Sequence, residues 1–418
     1  MAALLVALII LGCGAYQYFK GTIFKATATI IITILASAVA FGFFEIAADY
    51  FIGKGIGSDS RSSAVVPWAQ SLCFTLLFVL AFAILQTAAM QLSKLPVDFG
   101  LLPERIGRPI LGIFMGLIVS GLLLTALAMA PLPNKYPYQR FDARSPDFQK
   151  PNKVLLNVDG FASGWFSLLS KGSFRAIRNP QSFAVVHPAF LDQLFLNRHN
   201  DSGDIPLIAK VGSIEVPRKN GAWHAPAAGI KDAEGKAITP QTGHGIVVVR
   251  MAILRNALQD AGIFTLGQLR LICKQKDSNA QKGITAYPIG FFSGRNQITT
   301  KKLSDKITVE RSQYANDEVR KHIDFAFNVP NDHIPVALEF KQNCITDVPK
   351  PVSAQQAPPP SPFVQKVKAE PNTNTKTTGD SRPYDSSSSN QDPSKPKPRG
   401  GLSPAGRMLT GGVTDETQ

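Results

Sequence analysis

Apolar residues dominate the first third of this chain, where they form four separate runs. The runs extend from the N-terminal residues to about Phe19, and from about Ala26 to Ile52, Trp68 to Leu92, and Pro109 to Met129. A helix of about 20 apolar residues crosses the roughly 30 Å hydrocarbon layer of a bilayer. Residues 1–131 therefore predict four membrane-spanning helices. We expect the first to be a retained signal anchor, because it lacks a basic leader and a small-residue cleavage site.

The fourth run is preceded by a polar turn that is broken by proline, so that the whole segment extends from Leu101 to Leu124. Gly112, Gly116 and Gly121 lie within this segment. Glycines four residues apart share one helix face and allow a second helix to approach closely in lipid. The pattern predicts a helix that packs against other membrane helices, and it makes these glycine faces candidates for contacts in a homo-oligomer.

The rest of the chain has soluble character and changes composition twice. Residues 132–152 predict an extended connector. Residues 153–350 predict a mainly β domain, because short runs rich in Val, Ile and Phe alternate with clusters of Gly, Pro, Asn and Asp. This spacing is typical of a sandwich-like fold, and we expect an Ig-like or related antiparallel arrangement. Residues 351–418 are rich in Pro, Ser and Gln and predict a disordered tail.

Within the soluble part, several shorter elements are expected. Residues 153–158 predict a strand, residues 159–174 an amphipathic helix capped by Asp159, and residues 188–196 a second short helix. The segment FNVPNDHIPVALEF has the alternation of a closing hairpin. In the tail, Phe363 and Val364 stand out as a candidate docking point.

Charge is distributed unevenly along the chain. The whole sequence has a formal charge of +14, and residues 132–350, with 29 basic and 19 acidic side chains, carry +10 of it. A basic surface beside a bilayer favours anionic lipid or wall polymer as a partner, and a solvated surface with no specific ligand is the alternative.

Basic residues also bear on orientation. Lys20 and Lys25 directly follow the first apolar run, which favours an N-terminus outside the cytoplasm. An even number of spans then places the soluble domain and C-terminus outside as well. Nucleic acid is not an expected partner in that location.

The four cysteines divide between the two parts of the chain. Cys13 and Cys73 lie in apolar runs, whereas Cys273 and Cys344 lie in strand-like segments. Cys273–Cys344 is therefore the one candidate disulfide in an oxidising compartment, and two isolated buried thiols are the alternative. The Cys and His spacings include no zinc-binding pattern, so no metal or cofactor is expected.

Two acidic residues lie within the second apolar run. Glu45 and Asp49 are four residues apart, so they share a helix face near one end of the span. Intramembrane acids often mark ion or proton pathways. Solvation of both carboxylates at the membrane surface is the other interpretation.

The first 131 residues resemble the colicin V production protein (CvpA) family of bacterial inner-membrane proteins. The resemblance rests on four short spans, on Lys20-Gly21 after the first span, and on Glu104-Arg105-Ile106-Gly107 before the glycine-spaced fourth span. This chain has Glu104 where the family commonly has Asp. The resemblance implies an envelope role such as colicin V production or resistance to membrane stress. Larger relatives carry an extracytoplasmic domain after the fourth span, in one case a serine protease.

Residues suited to catalysis are sparse in the soluble part. Ser202 lies in Asn-Asp-Ser-Gly-Asp, which lacks the flanking glycines of a chymotrypsin-type nucleophile, and His244 lies between two glycines, as in a turn. Trp165 and Trp223 are interpreted as core residues rather than sugar-stacking platforms. We therefore expect a non-enzymatic envelope protein. The alternatives are a membrane-anchored envelope hydrolase and a small oligomeric transporter or channel with Glu45 and Asp49 near its mouth.

Overall fold

The computed structural model describes most of the chain up to residue 365. The described residues are 1–55, 65–92, 100–142, 146, 150–171, 182–200, 205–226, 229–276 and 283–365. Residues 1–366 form one compact unit. Ser202 and residues 366–418 of the predicted tail lie outside the described residues.

Four long helices make up the first third of the structure. They are α1 (Ala2–Lys20), α2 (Ile23–Gly55), α3 (Ala69–Leu92) and α4 (Leu101–Met129). All four are long and apolar enough to cross a membrane, which confirms four helices of that kind. The predicted polar turn at residue 101 is wrong, because α4 begins at Leu101 and continues through Pro109.

Close helix contacts explain the glycines of α4. A Cβ atom at Gly112 would lie 2.8 Å from the Cys13 carbonyl oxygen, and one at Gly116 would lie 2.7 Å from the Ile10 Cα atom. The predicted close approach therefore occurs within one chain, against α1. Because α1 covers this face, a homo-oligomer would need another surface, and oligomerisation itself stays a prediction.

Short helices follow the connector. Helix α5 (Val158–Lys171) is followed by α6 (Phe183–Val186) and α7 (Phe190–Asn197). The predicted strand at residues 153–158 is wrong, since a 3-10 turn at Leu155–Asn157 leads directly into α5. Asp159 lies in the first turn of α5 rather than at its cap.

Antiparallel strands form the second half of the structure, with one short helix, α8 (Leu258–Ala261), between β5 and β6. The strands are β1 (Ile214–Glu215), β2 (Ala222–His224), β3 (Ile230–Lys231), β4 (Ala237–Ile238), β5 (His244–Leu254), β6 (Ile263–Thr265), β7 (Leu269–Gln275), β8 (Ile284–Ala286), β9 (Pro288–Phe292), β10 (Ile298–Thr300), β11 (Lys306–Thr308), β12 (Arg320–Pro330), β13 (His333–Phe340) and β14 (Cys344–Asp347). A larger sheet has the order β1-β5-β12-β9-β10, with β2 also paired to β5. A second sheet has the order β14-β13-β7-β8, and β11-β6 and β3-β4 are separate pairs. A mainly β region is thus confirmed, and we call residues 205–365 the β unit.

The two larger sheets share one hydrophobic core. Val249 and Phe325 of the first sheet belong to the same buried cluster as Leu271 and Phe340 of the second. Strands β12 and β13 follow each other closely, yet they belong to different sheets. The predicted closing hairpin is therefore wrong, because the chain passes from one sheet to the other at this turn.

The β unit continues beyond the predicted start of the tail. Phe363 is 1% exposed within the main β core, and its backbone N–H donates to the Phe292 carbonyl at 2.9 Å. The predicted boundary at residue 350 is therefore too early. Phe363 docks, but into the core of its own chain, whereas Val364 is exposed.

The candidate disulfide does not form in this structure, where all four cysteines are free thiols. Cys273 lies on β7 and Cys344 on β14, and β13 separates these strands. Neighbouring strands lie about 4.8 Å apart, so the two Cα atoms exceed the roughly 7 Å limit for a disulfide. The alternative of two buried thiols is the arrangement observed, and burial raises the pKa of both to about 12.

Candidate functional site

Helix α2 carries its acidic residues to the β unit. At 33 residues, it is about 50 Å long, well beyond the roughly 30 Å hydrocarbon layer of a bilayer. Glu45 and Asp49 lie in its last third, on the side that faces the β unit and the short helices. This length brings both side chains to contacts with the rest of the protein.

Glu45 forms a hydrogen bond with His187, the residue that directly follows α6. Its Oε1 atom lies 2.6 Å from His187 Nε2, and the His187 ring is 5% exposed. His187 Nδ1 lies 3.0 Å from Gln193 Oε1 and 2.9 Å from Arg270 Nη2. A neutral ring can donate to Glu45 and accept from Arg270, whereas a protonated ring donates to both Glu45 and Gln193. Both nitrogens are therefore engaged in either state.

Arg270 extends the network into the β unit. Its Nη1 atom donates to the Val186 carbonyl at 2.6 Å, and Nη2 also pairs with Glu339. Arg270 on β7 and Glu339 on β13 are direct cross-strand partners, and their side chains are 4% and 5% exposed. Burial raises the pKa of Glu339, and the positive charge of Arg270 opposes that rise. We call Glu45, His187, Arg270 and Glu339 the junction network.

A cavity of about 130 Å³ lies beside the junction network. Glu45, Asp49, Gln342 and Asn343 contribute polar groups to its wall. Within the described part of the chain, Asp49 Oδ1 and both amide atoms of the Gln342 side chain have no hydrogen-bond partner. Gln342 is only 7% exposed, so its amide is a buried polar group turned toward this space. Such groups normally bind water or another polar molecule.

The turn between β13 and β14 contacts the helix ends as well. Gln70 of α3 donates from Nε2 to the Gln342 carbonyl at 2.8 Å. Lys341 precedes it with a backbone φ of +58°, and its ammonium group donates to the Asp260 carbonyl. Lys341 is 3% exposed, and burial lowers its pKa to about 7. This turn therefore buries a lysine side chain whose hydrogen-bond partner is a backbone carbonyl.

Aromatic side chains surround the junction on the helix side. Phe41 of α2 stacks on Phe166 of α5 at 4.8 Å between ring centroids and meets Phe74 of α3 edge-on at 4.9 Å. Phe183 contacts both Phe166 and the His187 ring, each at 4.9 Å. The long helices, the short helices and the junction network therefore share one packed region.

The residues behind the family resemblance lie at the opposite end of the helices. Glu104 is 5% exposed, pairs with Arg108, and has a carboxylate oxygen 3.4 Å from the Ile23 backbone nitrogen at the start of α2. A carboxylate is favourable at a helix N-terminus. A Cβ atom at Gly107 would lie 2.7 Å from Ile23, and Gly21 ends α1. Glu104, Gly107 and Gly21 thus fasten the α1–α2 turn to α4, whereas Lys20 and Arg105 are exposed.

The remaining sequence candidates are dispersed. His244 lies at the start of β5, and its Nδ1 atom is 3.0 Å from the Thr242 carbonyl oxygen, as expected for a turn. Trp223 is 5% exposed and belongs to the core, but Trp165 is 41% exposed, so its interpretation as a core residue is wrong. Among the described residues, no group of three His, Cys, Asp or Glu side chains is placed to hold a metal ion.

Sequence reasoning found Glu45 and Asp49 but missed His187, Arg270 and Glu339. A signal was present for two of them. Arg270 and Glu339 are single charges within the apolar strands LRLIC and VALEF, where a charge is normally buried only with a partner. No local pattern marked His187, whose role depends on elements far apart in sequence.

Comparison with known proteins identified no relative of this chain. No family model matches the chain, and no curated protein or solved structure matches it. The resemblance to the colicin V production family therefore stays a prediction.

Proposed function

We propose that this chain is a non-enzymatic protein of the bacterial inner membrane, in which four spans and the β unit act as one body. The junction network is the main observation behind this proposal. In it, Glu45 of a spanning helix is hydrogen-bonded to His187, which contacts Arg270 of the β core. A carboxylate held in this way ties the position of α2 to that of the β unit. Such a body suits envelope organisation, stress tolerance or export, the roles implied by the colicin V production resemblance.

The basic residues that directly follow the first span, Lys20 and Lys25, support an extracytoplasmic β unit. Lys20, Lys25, Arg105 and Arg108 gather where α1 ends and where α2 and α4 begin, which is the end remote from the β unit. Positive residues favour the cytoplasmic side of a membrane. We propose that the β unit is a sandwich that faces the envelope, and that the +10 charge of residues 132–350, most of which lies in this unit, is directed to anionic lipid or wall polymer.

Topology is the first test of this proposal. We would introduce Val319→Cys, at a position 58% exposed in the β unit, and separately Lys20→Cys at the other end. A membrane-impermeant maleimide should label residue 319 in spheroplasts and residue 20 only after lysis. The reverse pattern would overturn the orientation, and recovery of the chain in the soluble fraction would overturn the membrane placement.

The coupling role needs a second experiment, in a deletion strain challenged with detergent. We expect the wild-type chain to restore growth and the Glu45→Ala/His187→Ala variant to fail while reaching the membrane at normal levels. Asp332→Ala/His333→Ala is the matched control, because it removes an acid–histidine pair at 2.7 Å that is remote from the helices. Full complementation by the Glu45/His187 variant would refute the coupling role.

A cation or proton pathway is the second candidate function. The cavity lined by Glu45 and Asp49 favours it, since the unpartnered Asp49 oxygen and Gln342 amide can receive water or a cation. Vesicles containing the full chain and a pH-sensitive dye would test it. Glu45→Gln/Asp49→Asn should abolish any ion leak of the wild type, and an unchanged leak would reject this pathway.

A further inference from the structure

Helix α5 is apolar on both of its faces. Val158, Ala162 and Phe166 form the inner face, which is buried. Phe161, Trp165 and Leu168 form the outer face and are 39%, 41% and 59% exposed. Large apolar side chains exposed together on one helix face mark a contact with another protein or with a membrane. The protein covers one side of α5 and leaves the other side open.

The charges near α5 are turned away from the outer face. Asp159 is 1% exposed, and its carboxylate accepts from the Tyr138 hydroxyl at 2.5 Å. Arg140 in turn donates to the Tyr138 oxygen at 2.9 Å. No charged residue occurs between Asp159 and Lys171. The outer face therefore presents hydrocarbon and one indole ring.

The inner face of α5 packs directly on the spanning helices. A Cβ atom at Gly121 of α4 would lie 2.2 Å from the Val158 carbonyl oxygen, so the two helices are in close contact there. At the edge of the outer face, Phe161 also meets Phe114 of α4 at 6.0 Å between ring centroids. The third predicted packing glycine, Gly121, thus serves α5 rather than another spanning helix.

The position of α5 along the axes of the long helices is set by its contacts with the start of α1. With 19 residues, α1 is about 28 Å long, close to one hydrocarbon thickness. Its first residues, Ala2 and Val6, pack in one cluster with Leu124, Val154 and Val158. The start of α5 therefore lies level with the end of the shortest span, where hydrocarbon gives way to headgroups. Tryptophan is enriched at this depth.

An apolar groove continues from α5 toward the spans. It lies between Ile34 of α2, Phe114 and Ile118 of α4, and Trp165 of α5. Its volume is only about 20 Å³, so it is a shallow apolar depression that an acyl chain can lie against rather than enter. The groove joins the outer face of α5 to surfaces that already belong to spanning helices.

We infer that α5 is an interfacial membrane helix, with Phe161, Trp165 and Leu168 inserted among lipid acyl chains. The bilayer is the occupant that the observations favour, because the face is continuous with the spans and its start is level with the end of α1. This inference rests on the proposed membrane location. Lipid contact here would hold the first element of the soluble part against the membrane surface.

Tryptophan fluorescence tests the inference on the full chain in phosphatidylethanolamine–phosphatidylglycerol vesicles. The chain has three tryptophans, and Trp223 is 5% exposed in the β unit, so it serves as an internal unquenched reference. Trp68→Phe isolates Trp165, and Trp165→Phe isolates Trp68 at the start of the α3 span. Lipids brominated near the headgroup or near the chain end act as depth-dependent quenchers.

We expect Trp165 emission to be lost with brominated lipid, more strongly with shallow than with deep bromines. If Trp68 is quenched and Trp165 is not, α5 is not in the interface and the inference fails, for example because a second copy covers its outer face. If neither tryptophan is quenched, the membrane location itself fails. Phenylalanine retains the apolar surface at both positions, so both variants should fold.

Discussion

Removing Arg270 should destabilise the protein strongly, because it leaves a buried carboxylate without its partner. Arg270 and Glu339 are 4% and 5% exposed, and Arg270 also bonds to the Val186 carbonyl and to His187. Breaking a buried ion pair from one side costs about 3–5 kcal/mol. Arg270→Met should therefore lower the free energy of unfolding by that amount.

The double variant Arg270→Met/Glu339→Leu is the informative partner of this single variant. Replacing both charges by apolar groups of similar size is often neutral, whereas the orphaned Val186 carbonyl costs about 1–3 kcal/mol. We therefore expect the double variant to be more stable than Arg270→Met. Urea unfolding of the detergent-solubilised full chain, followed by near-UV circular dichroism, measures both changes.

A matched surface pair provides the control. Arg320 and Glu215 join β12 to β1 at 2.6 Å, but their side chains are 52% and 45% exposed. Arg320→Met should leave the unfolding midpoint almost unchanged, because solvent screens exposed pairs. The reasoning would be refuted if Arg270→Met cost less than Arg320→Met, or if the double variant were less stable than Arg270→Met alone.

Three further predictions concern packing and pH. Gly116→Val should destabilise the helices by about 1–3 kcal/mol, since the added atoms meet the α1 backbone, whereas Gly12→Ala, with open space around it, should be neutral in thermal unfolding. Phe363→Ala should cost about 3–5 kcal/mol and the exposed Val364→Ala almost nothing, so equal urea midpoints would contradict the revised end of the β unit. Burial lowers the pKa of Lys341 from 10.5 to about 7. Between these pH values the unfolded chain binds one proton more than the folded chain, so the free energy of unfolding should rise with pH, by up to about 5 kcal/mol. Lys341→Met should flatten that rise when unfolding is measured at pH 7 and at pH 10.

The positions of the four long apolar helices followed from local composition alone. Twenty apolar residues in a row have few other stable environments, so the apolar runs predicted the helices to within a few residues at most ends. The exception is the start of α4, where Pro103 and Pro109 suggested a turn. A proline in the first helical turn removes no hydrogen bond, and the helix tolerates Pro109 as well.

Strand composition identified most of the β unit but not its pairing. Alternation of side chains places a strand at a sheet surface without saying which sheet it joins. For that reason, β12 and β13 were expected to form a hairpin, although they lie in different sheets. The separation of Cys273 from Cys344 by β13 has the same origin, because the candidate disulfide depended on strand order.

The sequence by itself determined the elements whose stability is local: four apolar helices, short strands and a polar remainder. It also marked Glu45 and Asp49, since acids in an apolar run are conspicuous. Only the tertiary structure brought His187, Arg270 and Glu339 to Glu45, because these residues lie on separate elements up to about 300 positions apart. Partners for a buried charge are chosen by packing in three dimensions, and no local pattern in the chain encodes that choice.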